Sequence, residues 1–441
     1  MKKINICLLF IIMVCFFAVF LVSKNNNHYI IKDGAVIALT LDGVEINKFP
    51  SGNNYFADIS CDGGVGRYRP VKKINNNLET SEYEIRFTID NITQNVKCFV
   101  DFTTIDKSSN SEFYLINEVL RKQNLTQQNG GLCTNESYTT ETSCKEAEEH
   151  WYTVEEKIGK NYSTGGSDCN AGIRYSGKYV NNYVWFNNEL WRIIGVVPIT
   201  LENGNKENLI KIIRNDSIGE LMNDTSSVNE GERKDKWGEN SLFNLMNNYY
   251  YGKKNATSNA SSGCKTQYFK THNGSSPTIN AISVLHDYKP VCNYINIGIS
   301  NSSTDYYGKM IERVYWNVGS LDNSEAEHCY CFEEKSSKLG YIGILSLSDY
   351  IYSGIDYESG VFGQDFANNS KYNWLFNGIN VWTMTNSGSE AYYVQLKGNI
   401  SNYDESVATS SHNVRPVVYL DPSVYIISGD GSEGNPYMLG M

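Results

Sequence analysis

The sequence predicts an N-terminal transmembrane helix, then a small all-β, sandwich-like domain, then a larger α+β domain with a mixed, mostly antiparallel sheet. Three observations lead there. A nearly pure apolar run, Ile4–Val22, opens the chain. Beyond it, short stretches rich in Val, Ile, Tyr and Phe alternate with Gly, Asn and Pro clusters, the pattern of strands and turns. Helical spacing of apolar residues is confined to a few segments. At 441 residues the chain is long for a single core, so several domains are expected. We divide it into 1–24, 25–105, 106–170 and 171–441.

In residues 1–24, Lys2 and Lys3 precede the apolar run and Lys24 follows it. A helix of that length matches a bilayer core of about 30 Å. The flanking lysines keep the N-terminus on the cytoplasmic side. No small-x-small cleavage site follows, which favours an uncleaved signal anchor over a cleaved signal peptide or a buried helix. The membrane is then a partner through residues 4–22, and everything after residue 24 is extracellular. The whole chain carries −11, and the only charges before residue 25 are those three lysines. The remainder is therefore more acidic still, which excludes nucleic acid as a natural partner. Of the 11 cysteines, Cys7 and Cys15 lie in the anchor and nine follow. In an oxidising space most of these form disulfides, and the odd number leaves at least one out. The Asn-x-Ser/Thr triplets follow from an Asn-rich composition.

Residues 25–105 contain strand-like runs at YIIKDGAVIALTLDG, YFADISC, YEIRFTI and VKCFVDF, split by turn clusters. Cys61 and Cys98 each sit in or beside such a run. A disulfide joining two sheets of a sandwich suits them, worth roughly 3–4 kcal/mol from its loop length. In 106–170, Ser111 can cap a helix reaching Lys122, with Phe113, Ile116, Val119 and Leu120 on one face. Ser143-Cys-Lys-Glu146 has the form of a capping box, and Ala147, Trp151, Val154 and Ile158 continue at helical spacing. In 171–441 the stretch NYVWFNNELWRIIGV reads as a hairpin around Asn187-Asn188. A strand follows at 209–215. Leu242, Leu245, Met246 and Tyr249 mark an amphipathic helix, and 252–278 a polar surface loop. Strands return in KLGYIGILSLSDYIY, INVWTMTN, AYYVQLKG and HNVRPVVYLDPSVYII.

Four stretches carry a resemblance: NYVWFNNELWRIIGV, KLGYIGILSLSDYIYSG, VWTMTNSGSEAYYVQLKG and HNVRPVVYLDPSVYIISGDGSEGNPYML. They resemble a family of uncharacterised exported, anchored proteins of low-GC Gram-positive bacteria. Trp382-Thr383 and Arg415-Pro416-Val417 are also similar to the formylglycine-generating-enzyme variant of the C-type-lectin fold. The resemblance implies a C-type-lectin-like fold for 171–441. The stretch CTNESYTTETSCKEAEEHW resembles the short Cys–Cys–Trp insertions of many bacterial and phage proteins, which implies a bond between Cys133 and Cys144.

Candidate sites are few. Trp185, Trp191 and Trp382 are either packed in the core or exposed as a stacking platform for a sugar. Arg192 and Arg415 either brace backbone carbonyls or a buried acid such as Asp349, or bind a ligand. On a strand, Cys329 and Cys331 share a face, which suits disulfides to distant cysteines, a copper or zinc site, or a reactive thiol. No metal set is complete at fixed spacing, and no cofactor motif occurs. Asp430–Asn435 lacks the alternating acids of a calcium loop and reads as a turn. His-Glu-x-x-His, Gly-x-Ser-x-Gly and phosphate-loop patterns are absent from the sequence. The resulting expectation is a non-enzymatic, membrane-anchored cell-surface binding protein for a glycan, peptide or host protein. Its recognition loops are at 252–278 or 301–306. The alternatives are an exported metal-dependent oxidase or thiol-modifying enzyme using Cys329 and Cys331, or a purely structural envelope protein.

Overall fold

The computed structural model describes residues 29–32, 35–92, 95–122, 125–133, 138, 140–149, 151–161, 172–223, 237–252, 298–299, 305–318, 335–354, 373–387, 390–403 and 411–441. It is mostly β, with 48% strand against 12% helix in mixed sheets, which corrects the α+β expectation. The expected single-pass anchor is corrected as well. Among the described residues no helix is long and apolar enough to cross a membrane, and the run 1–24 lies outside them. The longest described α-helix has seven residues, about 10 Å of rise.

Contacts divide the chain into two compact units, Met1–Arg69 with Ile85–Ile105 and Pro70–Glu84 with Asp106–Met441. Seven strands lie wholly or partly in the first: β1 Tyr29–Lys32, β2 Ala35–Leu41, β3 Val44–Ile46, β4 Tyr55–Asp62, β5 Val65–Asn75, β6 Leu78–Asp90 and β7 Lys97–Thr104. β7 is central, pairing parallel with β2 and antiparallel with β4. β1 and β3 both pair antiparallel with β2. β5 and β6 form a separate hairpin around Asn76 and Asn77, whose positive φ angles suit a tight turn. Alternation buries Ile37, Leu39, Ala57, Val100 and Phe102. The Phe102 ring meets Tyr68 edge-on at 5.2 Å and Phe49 at 6.0 Å, and Phe49 stacks on Phe87 at 5.3 Å. Cys61 and Cys98 are bonded as expected, but not between two sheets. They are direct partners on neighbouring strands β4 and β7, with Cα atoms 4.1 Å apart. Sequence spacing reports loop length, not which strands are adjacent.

The second unit is built on a long antiparallel core. Its helices are α1 Leu115–Arg121, α2 Glu141–Glu146, α3 Ser241–Leu245 and α4 Leu347–Tyr352. Its strands open with β8 Leu125–Cys133, β9 Trp151–Asn161, β10 Ile173–Tyr175, β11 Tyr183–Phe186, β12 Glu189–Leu201, β13 Lys206–Arg214 and β14 Glu220–Met222. Then come β15 Val314–Asn317, β16 Lys335–Gly340, β17 Gly343–Ile344, β18 Val381–Ser387, β19 Glu390–Val394, β20 Ile400–Tyr403, β21 Ser411–Asn413, β22 Pro416–Leu420, β23 Tyr425–Ser428 and β24 Tyr437–Gly440. The main sheet runs β9–β10–β12–β13–β22–β17. β11 pairs antiparallel with β12 and parallel with β24. A smaller sheet has the order β14–β21–β18–β19–β20.

The predicted hairpin is present. Phe186 faces Glu189 across Asn187 and Asn188, both at positive φ. Residues 191–197 of β12, 209–213 of β13 and all of β22 are buried. Both faces of these strands are therefore covered, which explains their near-continuous Val/Ile/Leu runs. The amphipathic helix around 242–249 appears as α3 continuing into a π-turn over Met246–Tyr250. α1 starts at Leu115 rather than beside Ser111, and its Glu118 accepts a hydrogen bond from the Tyr437 hydroxyl. The helix expected over 147–158 is strand β9 instead, paired antiparallel with β8. Trp151, Tyr152, Thr153 and Val154 are strong strand formers, and pairing overrides an ambiguous period. The capping box on α2 lies three residues earlier than expected, between Thr140 and Ser143.

Candidate functional site

Chemistry-bearing side chains gather at two places in the second unit. The first is centred on Asp349, in the first turn of α4. Ser346 caps this helix: its Oγ accepts from the Asp349 amide, and Asp349 Oδ2 accepts from the Ser346 amide, both at 3.2 Å. The cap fixes the carboxylate against the sheet. There Arg174 of β10 donates to Asp349 Oδ1, and Lys211 Nζ of β13 lies 2.8 Å from Oδ2. Arg174, Lys211 and Asp349 are all buried. The Arg174 guanidinium lies over Tyr352, and Lys211 Nζ over Tyr419. Burial pushes the Asp349 carboxyl up, but Lys211 and Arg174 outweigh it and hold it below the usual carboxylate range.

The second place surrounds Trp374, Leu375 and Phe376. Arg192 of β12 donates Nε to Asn182 Oδ1 at 2.7 Å, Nη2 to the Val180 carbonyl at 3.1 Å and Nη1 to the Trp374 carbonyl at 3.5 Å. Its guanidinium centre lies 4.1 Å from the Tyr183 ring and 4.5 Å from the Trp374 ring. Arg415, just before β22, donates to the carbonyls of Arg214 and Leu375, both at 3.0 Å. Lys178 Nζ stands 5.9 Å over the Phe376 ring. Burial, then repulsion from Arg192, pushes Arg415 down to about 9. The same two influences lower Lys178.

No family model, curated protein or solved structure matches the chain. The similarities quoted above therefore rest on their own sequence stretches.

Of the three candidate tryptophans, Trp191 and Trp382 are wholly buried and unavailable as a sugar platform. Trp191 packs edge-on against Phe186 at 5.3 Å, and Trp382 donates its indole N–H to the Leu221 carbonyl at 2.7 Å. Trp185 is half-buried on β11. The two arginines brace carbonyls as expected, while Asp349 pairs with Arg174 and Lys211 instead. The sequence reading missed those two. A lone lysine inside LIKIIRN is the one available signal, because a charge in the middle of a buried strand demands a partner. Residues 430–435 form the expected turn, with Ser432 donating its amide to Asp430 Oδ1 at 2.9 Å. Cys144 is buried and disulfide-bonded. Cys133 ends β8 opposite Trp151, and its side chain lies outside the described residues. Cys169, Cys264, Cys292, Cys329 and Cys331 and most of the loops nominated for recognition lie outside them too. No group of three or more His, Cys, Asp or Glu able to hold a metal ion occurs among the described residues.

Elsewhere, two acids face each other. Glu312 lies against Asp421, the residue after β22, and its carboxyl is pushed up to about 7. Burial is the chief cause, followed by the hydrogen bond and charge of Asp421 and the charge of Glu207. Backbone bonds fix the two segments: the Glu312 amide donates to the Tyr419 carbonyl at 2.9 Å, and the Asp421 amide to the Met310 carbonyl at 2.7 Å.

Proposed function

We propose that the chain is a non-catalytic binding protein: a rigid β scaffold that presents polar segments to a glycan, a peptide or another protein. One observation carries this reading. Trp191 and Trp382, which the sequence offers as ligand contacts, and Arg192, Arg415 and Asp349 are all packed inside the second unit. The hydrogen bonds of Trp382, Arg192 and Arg415 hold backbone carbonyls, and Asp349 answers Arg174 and Lys211, so these residues contribute rigidity. A rigid scaffold carrying long polar insertions is an arrangement suited to recognition. The polar stretch 252–278 is such an insertion between α3 and β15. The lectin-like resemblance of 171–441 agrees with this role, as does the staple we assign between Cys133 and Cys144. Glycan-array and pull-down screens with the purified full-length chain should find a ligand that binds saturably and is competed by excess free ligand. Blanks in both, with protein that melts cooperatively, would refute the reading in favour of a purely structural role. Thiol counting with metal analysis separates it from an oxidase. A tightly bound copper or zinc ion that is lost on replacing Cys329 or Cys331 would favour the enzyme.

A further inference from the structure

Four Asn-Gly pairs occur in the chain, at 129–130, 203–204, 273–274 and 377–378. Asparagine is thermolabile, and most so before glycine, which has no Cβ to keep its amide nitrogen from the neighbouring carboxamide. The side chains of the first and third pairs lie outside the described residues. The other two are alike in exposure and backbone. Asn203 and Asn377 are both exposed, Gly204 and Gly378 have positive φ angles of 87° and 74°, and a Cβ at either glycine would meet nothing within 4 Å. They differ in their hydrogen bonds. In the turn between β12 and β13, Asn203 Oδ1 accepts from the Asn205 amide at 2.9 Å, and the Gly204 amide donates to the Leu201 carbonyl at 2.9 Å. Both reacting groups are thereby held. Asn377 and Gly378 precede β18, and among the described residues neither the Asn377 carboxamide nor the Gly378 amide has a hydrogen-bond partner.

We propose that Asn377-Gly378 is a self-modification site, at which the asparagine deamidates through a cyclic imide while the fold protects Asn203. The Gly378 amide gives its proton to solvent base, and its nitrogen attacks Asn377 Cγ. The carboxamide C–N bond breaks, and ammonia leaves with a proton taken from water. Water then opens the ring at either carbonyl. The product is aspartate or, with the main chain rerouted through Cγ, isoaspartate. Water is the only co-reactant. The position gives the change a consequence. On one side, the Leu375 carbonyl is held by Arg415 Nη1 at 3.0 Å. On the other, Asn380 accepts the Leu396 amide on Oδ1 at 2.7 Å and the Asn413 amide on its carbonyl at 2.9 Å. Residues 376–379 are the short link between a braced carbonyl and the entry to the smaller sheet. Conversion adds a negative charge to that link, and the isoaspartyl form also lengthens its backbone. This site stands independently of the binding role proposed above.

The test is peptide mapping by mass spectrometry on the full chain, held in mildly alkaline buffer and sampled over time. The peptide containing Asn377 should gain the mass of exchanging NH2 for OH and separate into aspartyl and isoaspartyl forms. It should convert about tenfold faster than the Asn203 peptide, the factor that a hydrogen bond withheld from the reacting amide is worth. In urea, where both turns are lost, the two rates should converge. Asn377→Gln lengthens an exposed side chain that bonds nothing, so the fold survives, and the larger ring it would have to close should stop conversion of that peptide. Equal rates at Asn203 and Asn377 in the folded chain overturn the proposal. So does an Asn377 peptide that stays intact in the folded chain yet converts in urea, and so does a rate ratio that urea leaves unaltered.

Discussion

Asp349→Asn offers the sharpest test of how the second unit is held together. The substitution keeps shape and removes one charge. In the native protein that charge sits between Arg174 and Lys211, and all three side chains are enclosed. The asparagine variant takes the shared carboxylate away from two buried cations. Breaking a buried pair in this way costs about 3–5 kcal/mol, mostly because the orphaned charge has been stripped of water. The effect on pH dependence follows from the direction of the shift. Asp349 is held below its unfolded value, so its contribution is present above the unfolded carboxyl pKa of about 3.9. It is lost as pH falls through the folded value. Urea unfolding at pH 7 should show the full loss, and the gap between wild type and variant should shrink below about pH 4. A second change, Lys211→Met, made in the Asp349→Asn background should recover part of the loss by removing one of the two stranded charges. A variant within about 1 kcal/mol of wild type at pH 7 would refute the account. So would a double variant no better than the single one.

Three further outcomes are expected. Glu312→Gln should flatten the pH dependence of stability. The raised carboxyl holds its proton in the folded state, so its contribution is complete below about 4.5 and disappears as pH climbs through about 7. Above pH 8 the variant should be the more stable by about 1–3 kcal/mol in urea melts, after discounting for partial exposure. Gly195→Ala should destabilise by several kcal/mol, because a Cβ there would stand 1.9 Å from the Ile173 carbonyl oxygen, a backbone atom that cannot swing aside. Normal expression and an unchanged Tm for that variant would contradict the close approach of β10 to β12. Replacing both Cys61 and Cys98 by Ala should cost the first unit about 3–4 kcal/mol, read as an earlier melting transition that reductant no longer affects.

What the sequence disclosed follows from how local each signal is. The β11–β12 hairpin was legible because Asn187-Asn188 supplies the left-handed backbone that a two-residue turn needs, and because flanking residues alternate. The turn at 430–435 was legible for the same reason. Strand β9 was misread because Ala147, Trp151, Val154 and Ile158 satisfy a helical period while the intervening residues favour strand. Only the pairing of Ile158 with Leu125 decides between them, and no local window contains it. The Cys61–Cys98 bond was legible as a pair but not as a place. Its location depends on β7 lying between β2 and β4, a matter of topology.

The charged interior shows the limit most plainly. Arg174 and Asp349 lie 175 residues apart, and nothing in either neighbourhood names the other. The sheet explains how they meet. Arg174 on β10 is the register partner of Gly195 on β12, and Gly195 is in turn the neighbour of Lys211 on β13. Two cations therefore flank a glycine in one cross-strand row, where side chains share a face. The glycine lets β10 close on β12, and the row it completes carries a charge that must be answered from the layer above. The capping box of α4 does so, since the carboxylate that binds the Ser346 amide also receives both cations. A helix cap, a glycine contact and a buried ion pair are thus one mechanical unit. Each of the three is ordinary in the sequence, and they acquire a common function only when the strands align.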